Sequence, residues 1–193
     1  MGKSHSRYAF DWIRTERRGI LPLSQFRFPR RLRRNVRRHG YCATFDRDFG
    51  GVINHCADRR ERWINDAIIF LFTELHEVGI AHSVEVRVND RLVGGLYGVA
   101  LGGVFSGESM FSLVPSASQI ALLHLVDRLK EGGFQLLDVQ FKTKHLERFG
   151  VTEVPNEEYL DLLEQALAEK VNFPVHPPFE LTSSVLQRMS QTS

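Results

Sequence analysis

The sequence predicts one α/β domain built around a mixed central sheet. Three segments between residues 81 and 112 alternate apolar and polar side chains and are separated by short turns, as in an antiparallel meander. Amphipathic helices are predicted on either side of this meander, at residues 63–78 and 116–131. A further strand, predicted at residues 134–141, follows the second helix. A meander followed by a helix and another strand gives a mixed sheet with helices packed on it.

Local signals define the individual elements. Pro29 suits the first position of a helix that carries Leu32 and Val36 on one side. Gly79 ends the helix over 63–78, and Ser116 with Gln119 has the pattern of a capping box at the start of the next. The predicted strands are 41–45, 81–88, 91–100, 104–112 and 134–141, and further helical segments are predicted at 49–57, 144–149 and 159–168. This order is typical of the N-acetyltransferase-like (GNAT-related) acyltransferase fold.

Composition predicts three regions along the chain. Residues 1–26 are polar and basic with scattered aromatic side chains, and we interpret them as an N-terminal extension. Residues 27–170 contain the predicted sheet and helices. Residues 171–193 are rich in proline, serine and threonine, which predicts a loosely ordered tail. Nothing in the sequence requires an assembly, so we expect a monomer.

The overall composition favours a cytoplasmic globular protein. Among the 193 residues, 42% are hydrophobic and 25% are charged, which is close to the average for soluble domains. No apolar run approaches the roughly 20 residues that span a bilayer, and the first residues lack the apolar core of a secretion signal. We therefore expect no membrane partner. Cys42 and Cys56 have no metal-binding spacing and are interpreted as reduced thiols.

An arginine-rich segment predicts a polyanionic partner. Residues 27–39 read RFPRRLRRNVRRH and contain seven arginines and no acidic residue, although the whole chain has a net charge of only +2. Arginine suits bidentate contacts with phosphate groups, so a nucleic acid is the favoured partner. The alternative is an ordinary solvated helix face.

Three polar residues lie on predicted strands that are otherwise apolar. On a regular strand, Glu108 would share one face with Met110, whereas Phe105 and Phe111 would share the other. Asp138 and Gln140 are two residues apart and would also project to one side. A carboxylate beside an amide could orient or deprotonate an amine. The alternative is that this side of the sheet simply faces water.

Several segments resemble one enzyme family. VGGLYGVALGGVFSGESMFS at 93–112, SASQIALLHLVDRLKEGGFQLLDVQF at 116–141 and TKHLERFGVTEVP at 143–155 are similar to leucyl/phenylalanyl-tRNA–protein transferases. The segments CADRRERWIND at 56–66 and LHEVGIAHSVEV at 75–86 resemble the same family. The resemblance extends over about residues 27–167, and the GESMFS block combined with the D-x-Q strand is its most specific part.

The resemblance implies both an activity and a set of site residues. Members of this family carry an acetyltransferase-like fold and transfer Leu, Phe or Met from aminoacyl-tRNA to an N-terminal Arg or Lys of a protein, which creates a degradation signal. Asp138 and Gln140 then match the residues that bind or activate the acceptor amine, and Glu108 lies near the ester. No metal, cofactor or covalent enzyme intermediate is implied, since aminoacyl-tRNA is a co-substrate. The positions that match the donor side-chain pocket are Leu96, Phe105, Met110, Leu122 and Leu125.

The same resemblance predicts a tRNA-binding surface. Trp63 matches a tryptophan that stacks near the terminal adenosine of the tRNA, and the basic segment matches residues that contact acceptor-stem phosphates. The arginines concerned are Arg30, Arg31, Arg33, Arg34, Arg37 and Arg38. From the sequence alone, Trp63 could equally be a core anchor, and the apolar pocket positions could be ordinary core residues.

Some features depart from the family pattern and leave other functions open. Compared with the family pattern, residues 1–26 would be only a remnant of a small, aromatic-rich N-terminal domain. Leu113, Ser116 and Gln119 stand at positions where the family has other residues, two of which are basic. The alternatives are a diverged transferase with another donor or acceptor, a non-catalytic RNA-binding module, and an acyltransferase that uses acetyl-CoA. The last is disfavoured because the glycines at 94 and 95 lie within a predicted strand that no helix follows.

Overall fold

The computed structural model describes residues 15–36, 40–58 and 63–191. In these residues, eight strands form one sheet, and helices cover both of its faces. The strands are β1 (Arg17–Leu21), β2 (Cys42–Phe45), β3 (Ala81–Val88), β4 (Arg91–Leu101), β5 (Val104–Ser112), β6 (Leu136–Gln140), β7 (Thr152–Pro155) and β8 (Phe179–Leu181). The helices are α1 (Arg30–Val36), α2 (Phe49–Ala57), α3 (Asp66–Glu77), α4 (Ala117–Glu131), α5 (Lys144–Glu147), α6 (Asn156–Leu167) and α7 (Thr182–Gln191), with a 3₁₀ turn at Leu23–Gln25.

The mixed sheet confirms the predicted α/β class. Its strand order is β7-β1-β6-β5-β4-β3-β2-β8. The predicted meander is present, since β3, β4 and β5 pair antiparallel in sequence order. The crossover through α4 then returns the chain so that β6 lies beside β5 in parallel, from Val104 opposite Leu136 to Ser106 opposite Asp138.

The sheet divides the core into two layers, each of which is covered by helices. The larger layer lies between the sheet and α4, and it contains Leu21, Val84 and Leu137 from three different strands. The opposite face of the sheet is covered in two places. There α2 and α3 pack on Tyr97 and Phe111, and α6 packs on residues of β1, β5 and β6. The residues of this last cluster are Ile20, Val104, Leu136, Val154, Tyr159 and Ala166.

Both ends of the described chain are more firmly integrated than the sequence predicts. Residues 17–21, assigned to an N-terminal extension, form a strand inside the sheet between β6 and β7. The expectation of a loose tail over 171–193 is wrong for residues 173–186, because Phe173, Val185 and Leu186 are buried and β8 pairs with β2. These contacts were missed because both segments are short and pair with strands that are distant in sequence.

The N-termini of α3 and α4 are capped in different ways. Asn65 caps α3, with its side chain accepting a hydrogen bond from the backbone N–H of Ile68 at 3.0 Å. The predicted capping box at Ser116 is wrong, because Ser116 has a left-handed φ of 73° and its side chain makes no capping bond. Instead, the hydroxyl of Ser112 accepts from the backbone N–H of Ser118 at 2.8 Å. None of the helices within the described residues is sufficiently long and apolar to cross a membrane.

Candidate active site

A β-bulge in β5 positions Glu108. Tyr97 of β4 lies opposite Ser109, whereas the next residue, Gly98, lies opposite Gly107. Glu108 is therefore an extra residue without a partner on β4. A bulge of this kind redirects a side chain and interrupts the alternation of the strand.

The bulge overturns the alternation predicted for this strand. Phe105 belongs to the core layer under α4, whereas Phe111 belongs to the cluster under α2 and α3, so the two rings lie on opposite faces. Met110 packs against the α4 layer. Glu108 instead hydrogen-bonds to Ser106, which has the same orientation as Val104 in the α6 cluster. Glu108 and Met110 therefore do not share a face, contrary to the prediction.

The end of β6 is an irregular turn that presents Gln140. In the pairing with β1, Gly19 lies opposite Gln140 and Ile20 lies opposite Asp138, so that Val139 is skipped. Gln140 has a φ of 63°, and its backbone N–H donates to the Asp138 carboxylate at 2.8 Å. A left-handed conformation at a residue other than glycine is uncommon and concentrates at functional sites.

A glycine on the neighbouring strand is required for this turn. A Cβ atom on Gly19 would lie 2.7 Å from the backbone carbon of Phe141, which is closer than any side chain permits. Gly19 thus lets β1 approach the point where β6 turns away.

Glu108, Asp138 and Gln140 meet at the place where β5 and β6 separate. The parallel pairing ends at Ser106 and Asp138, although β5 continues for six more residues to Ser112. Across the resulting gap, the side-chain amide of Gln140 donates to a carboxylate oxygen of Glu108 at 3.2 Å. The two predicted carboxylates and the predicted amide therefore form one connected group.

Asp138 is almost fully buried and is held by two residues that the sequence did not single out. Its side chain is 1% exposed. The guanidinium of Arg18 donates to both carboxylate oxygens, with Nε 3.0 Å from Oδ1 and a terminal nitrogen 2.7 Å from Oδ2. The hydroxyl of Tyr159, at the start of α6, donates to Oδ2 at 2.8 Å. Arg18 was assigned to the extension, and no local pattern links either residue to Asp138.

The pKa values of Glu108, Tyr159 and Arg18 are all raised, but for different reasons. Burial raises the pKa of Glu108 above its ordinary value, and the hydrogen bonds from Ser106 and Gln140 oppose this rise. Burial and the adjacent Asp138 carboxylate raise the pKa of Tyr159 to about 12. Burial alone would lower the pKa of Arg18, but its hydrogen bonds and charge interaction with Asp138 raise it overall. Arg18 and Tyr159 are therefore both protonated near neutral pH.

The residues predicted to line the donor side-chain pocket lie together in the core layer between the sheet and α4. Leu96, Phe105, Leu122 and Leu125 are each at most 3% exposed and belong to the same core layer, against which Met110 packs. The Asp138 carboxylate faces α6, on the other side of the sheet. Beyond Ser106 and Asp138, β5 and β6 are no longer paired, which leaves a gap in the sheet between these two sides. The pocket remains a prediction, and it requires the donor side chain to enter through this gap.

The predicted tRNA-binding residues are partly exposed. Buried Leu32 and Val36 fix α1 to the core, while the side chains of Arg30 and Arg34 face solvent. Arg33 is half-buried and donates to the backbone carbonyl of Phe28 at 3.3 Å. Arg37, Arg38 and the side chain of Arg31 lie outside the part that the structure describes.

Trp63 is exposed, whereas Gln119 is half-buried. The indole of Trp63 is 49% exposed, so it is not the core anchor that was one of its two interpretations. The side-chain nitrogen of Gln119, at the start of α4, lies 3.2 Å from Nε2 of His145 in α5. This contact joins α4 to the segment that follows β6. Leu113, another departure from the family pattern, is exposed.

A separate cleft of about 350 Å³ lies at the β2–β8 end of the sheet and includes none of the predicted site residues. Its lining residues are Thr44, Arg47, Arg87, Asp90 and Phe179. Among the described residues, no group of three or more His, Cys, Asp or Glu side chains has an arrangement that could hold a metal ion.

Comparison with known proteins assigns the family. The family model for leucyl/phenylalanyl-tRNA protein transferase matches residues 20–164. A leucyl/phenylalanyl-tRNA–protein transferase from Cereibacter sphaeroides strain ATCC 17025 is 47% identical over 195 residues, covering 100% of this chain and 90% of that protein. A protein of the same name from Paramagnetospirillum magneticum is 50% identical over 177 residues, covering 90% of this chain and 85% of that protein.

Solved structures are more distant. A C-terminal DUF2156 domain from Agrobacterium fabrum aligns with a TM-score of 0.43 at 11% identity, covering 92% of this chain and 66% of that chain. This similarity is too low to assign a fold family, so the N-acetyltransferase-like label remains a prediction. The sequence relatives are sufficient for the family itself: the chain belongs to the leucyl/phenylalanyl-tRNA protein transferase family.

Proposed function

We propose that this protein transfers leucine or phenylalanine, and also methionine, from aminoacyl-tRNA to the N-terminal amine of an acceptor protein that begins with Arg or Lys. The product would then carry a new N-terminal residue that serves as a degradation signal. Family membership supports the reaction class. The observation that carries the proposal to this chain is the connected group of Glu108, Gln140 and Asp138 at the separation of β5 and β6.

The chemistry requires an amine to attack an ester. Aminoacyl-tRNA is an activated acyl donor, so the protein has to position two substrates and manage one proton. The side-chain nitrogen of Gln140 is committed to Glu108 at 3.2 Å and lies 3.5 Å from the backbone carbonyl of Gly107. Its oxygen, which has no donor among the described residues, is then an acceptor for the incoming amine.

The substrates have separate binding regions in this proposal. The donor side chain would enter where β5 and β6 are no longer paired and would be held against Met110 and the apolar residues between the sheet and α4. The exposed Trp63 ring offers a stacking surface for a terminal base, and the exposed arginines of α1 offer phosphate contacts. A surface that contacts only the phosphate backbone suits recognition of different tRNAs.

A transfer assay tests the proposal. Purified protein would receive radiolabelled Phe-tRNA, Leu-tRNA or Met-tRNA together with peptides that differ only in an N-terminal Arg, Lys, Asp or Ala. Label in the Arg and Lys peptides is the expected result. Label in the Asp or Ala peptides would identify a transferase with another acceptor choice. Acetyl transfer from acetyl-CoA, or tRNA binding without any transfer, would overturn the proposal.

A further inference from the structure

The carboxylate of Asp138 has no remaining capacity to accept a substrate proton. Oδ1 accepts from Nε of Arg18 at 3.0 Å and from the backbone N–H of Gln140 at 2.8 Å. Oδ2 accepts from a terminal nitrogen of Arg18 at 2.7 Å and from the hydroxyl of Tyr159 at 2.8 Å. A carboxylate has about four acceptor positions, and here four donors occupy them. An incoming ammonium group would have to break one of these bonds inside a site that is 1% exposed.

Glu108 has the capacity that Asp138 lacks. Oε1 accepts from the hydroxyl of Ser106 at 3.2 Å, and Oε2 accepts from the side-chain nitrogen of Gln140 at 3.2 Å. Within the described residues, each oxygen thus receives one hydrogen bond and retains one acceptor position. The side chain is also only partly buried, so a substrate amine can reach it.

The groups around Glu108 favour a proton acceptor. The charged groups that face it are the Asp138 carboxylate on β6 and the Arg18 guanidinium on β1, whose opposite charges are already paired with each other. The neutral groups are Ser106 on its own strand and Gln140 on β6. Burial raises the pKa of Glu108 above its ordinary value, and a carboxylate with a raised pKa is a stronger proton acceptor.

We propose that Glu108 accepts the proton that the acceptor's α-ammonium group must lose, and that Asp138 is a fully paired anchor which Arg18 and Tyr159 hold in place. This inference rests on the proposed transferase function. The ammonium gives one proton to Glu108, and the neutral nitrogen then attacks the ester carbonyl carbon to form the C–N bond. As the bond from that carbon to the ribose oxygen breaks, the attacking nitrogen loses a second proton, which ends on the leaving oxygen. Glu108 returns its own proton to solvent.

The pH dependence of single-turnover transfer distinguishes the two carboxylates. Phe-tRNA, at a concentration that saturates each variant, would react with an excess of a peptide that begins with Arg, between pH 6 and pH 9. Non-enzymatic ester hydrolysis would be subtracted at each pH. The proteins compared are the wild type, Glu108→Gln and Asp138→Asn, with unfolding midpoints as a check on folding. Glu108→Ala, which leaves room for an added carboxylate such as formate, provides a second variant.

The expected result is a loss for Glu108→Gln that depends on pH. At pH 6 the variant should be slower than the wild type by roughly 10²- to 10⁴-fold, the usual contribution of a general base. Its rate should rise about tenfold per pH unit and level off near pH 8, where the acceptor α-amine loses its proton without help. Formate should restore part of the Glu108→Ala rate at low pH. The transfer rate of Asp138→Asn should instead be lower than that of the wild type by the same factor at every pH between 6 and 9.

Other outcomes would overturn the assignment. A Glu108→Gln deficit of equal size at pH 6 and pH 9 would mean that Glu108 only positions the substrates. Recovery of Asp138→Asn at high pH, with none for Glu108→Gln, would make Asp138 the base. If the wild type transferred no amino acid at any pH, the proposed function itself would fail, and this assignment with it.

Discussion

Arg18 on β1 and Asp138 on β6 form a bidentate ion pair, with donor–acceptor distances of 3.0 and 2.7 Å, at the centre of the candidate site. The two residues are 120 positions apart in sequence. The pair fixes a buried carboxylate beside the turn that presents Gln140. Its loss should therefore affect both the stability of the fold and the geometry of the site.

Arg18→Met should destabilise the protein by about 3 kcal/mol, because it leaves the buried Asp138 carboxylate without its charged partner. The value is at the low end of the usual range since the Arg18 side chain is 23% exposed. Urea unfolding at pH 7 measures it. The matched control is Arg17→Met, whose side chain is 55% exposed and lies 3.8 Å from Glu153. The control should change stability by less than about 1 kcal/mol, and equal losses for both variants would contradict the account.

Tyr159→Phe should remove one hydrogen bond to Asp138 and reduce stability by about 1–2 kcal/mol at pH 8. The pH dependence has a definite sign, because the folded-state pKa of Tyr159 is raised to about 12 from an ordinary value of 10. The stabilisation is complete below pH 10, where the hydroxyl is protonated in both the folded and unfolded states. It declines as the pH rises from 10 towards 12, because the unfolded state loses the proton first.

The stability difference between wild type and Tyr159→Phe should therefore shrink above pH 10. Titratable groups that both proteins share contribute equally to the two free energies of unfolding, so their contributions cancel in this difference. A difference that stays constant or grows up to pH 11 would show that the hydroxyl does not bond to a carboxylate in the folded protein.

His124 should make the protein less stable in mild acid. Burial, with the nearby positive charges of Arg128 and Arg188, lowers its pKa to about 3 from an ordinary value of 6.5. Below pH 6.5 the unfolded state gains a proton that the folded state excludes, so stability should fall by up to about 1.4 kcal/mol per pH unit.

Replacing His124 with Gln should weaken this acid sensitivity between pH 6.5 and pH 4.5, as measured by urea unfolding at several pH values. His145→Gln, at an exposed position on α5, is the control, because an effect that came merely from losing one imidazole would appear in both variants. Identical slopes for His124→Gln and the wild type would contradict a neutral, buried imidazole at 124.

Arg30→Ala with Arg34→Ala should flatten the salt dependence of tRNA binding. Each lost phosphate contact should reduce the slope of log K against log[salt] by about 0.7–0.9. The control is Lys130→Ala with Lys170→Ala, at two exposed lysines outside α1. It removes the same net charge and should leave the slope almost unchanged. If both double variants changed the slope equally, the effect would be one of overall charge rather than of contacts made by α1.

Trp63→Ala should weaken binding of aminoacyl-tRNA by about 1–3 kcal/mol, the usual value of one stacked base. The indole is 49% exposed, so the fold should lose little stability. The control ligand is tRNA that lacks its terminal adenosine. Wild type should bind it more weakly than intact tRNA, and Trp63→Ala should bind the two alike; continued discrimination by the variant would remove Trp63 from the 3′-end site.

The sequence predicted the part of the fold whose contacts are local. The antiparallel meander of β3, β4 and β5 and the long helix α4 follow from alternation, turns and helical periodicity. It did not predict β1, β7 or β8, because these short strands join the sheet through partners far away in the chain. Pairing of this kind depends on tertiary contacts, which periodicity does not report.

The site was predicted by residue identity rather than by geometry. Glu108, Asp138 and Gln140 were selected as polar residues on apolar strands, and the structure brings them together. Regular alternation could not predict the bulge at Glu108 or the left-handed turn at Gln140, because both are departures from the strand pattern. The same irregularities give the two side chains their mutual orientation.

The most direct test of the central claim is the single-turnover rate of Phe transfer from Phe-tRNA to an Arg peptide by Gln140→Asn. Asparagine tolerates the left-handed backbone at this position, but its amide is one methylene too short for the 3.2 Å contact with Glu108. We predict a rate about 10²-fold below wild type, typical of a displacement near 1 Å, with an unchanged Kd for tRNA. A wild-type rate for Gln140→Asn would contradict the claim that this connected group is the transfer centre.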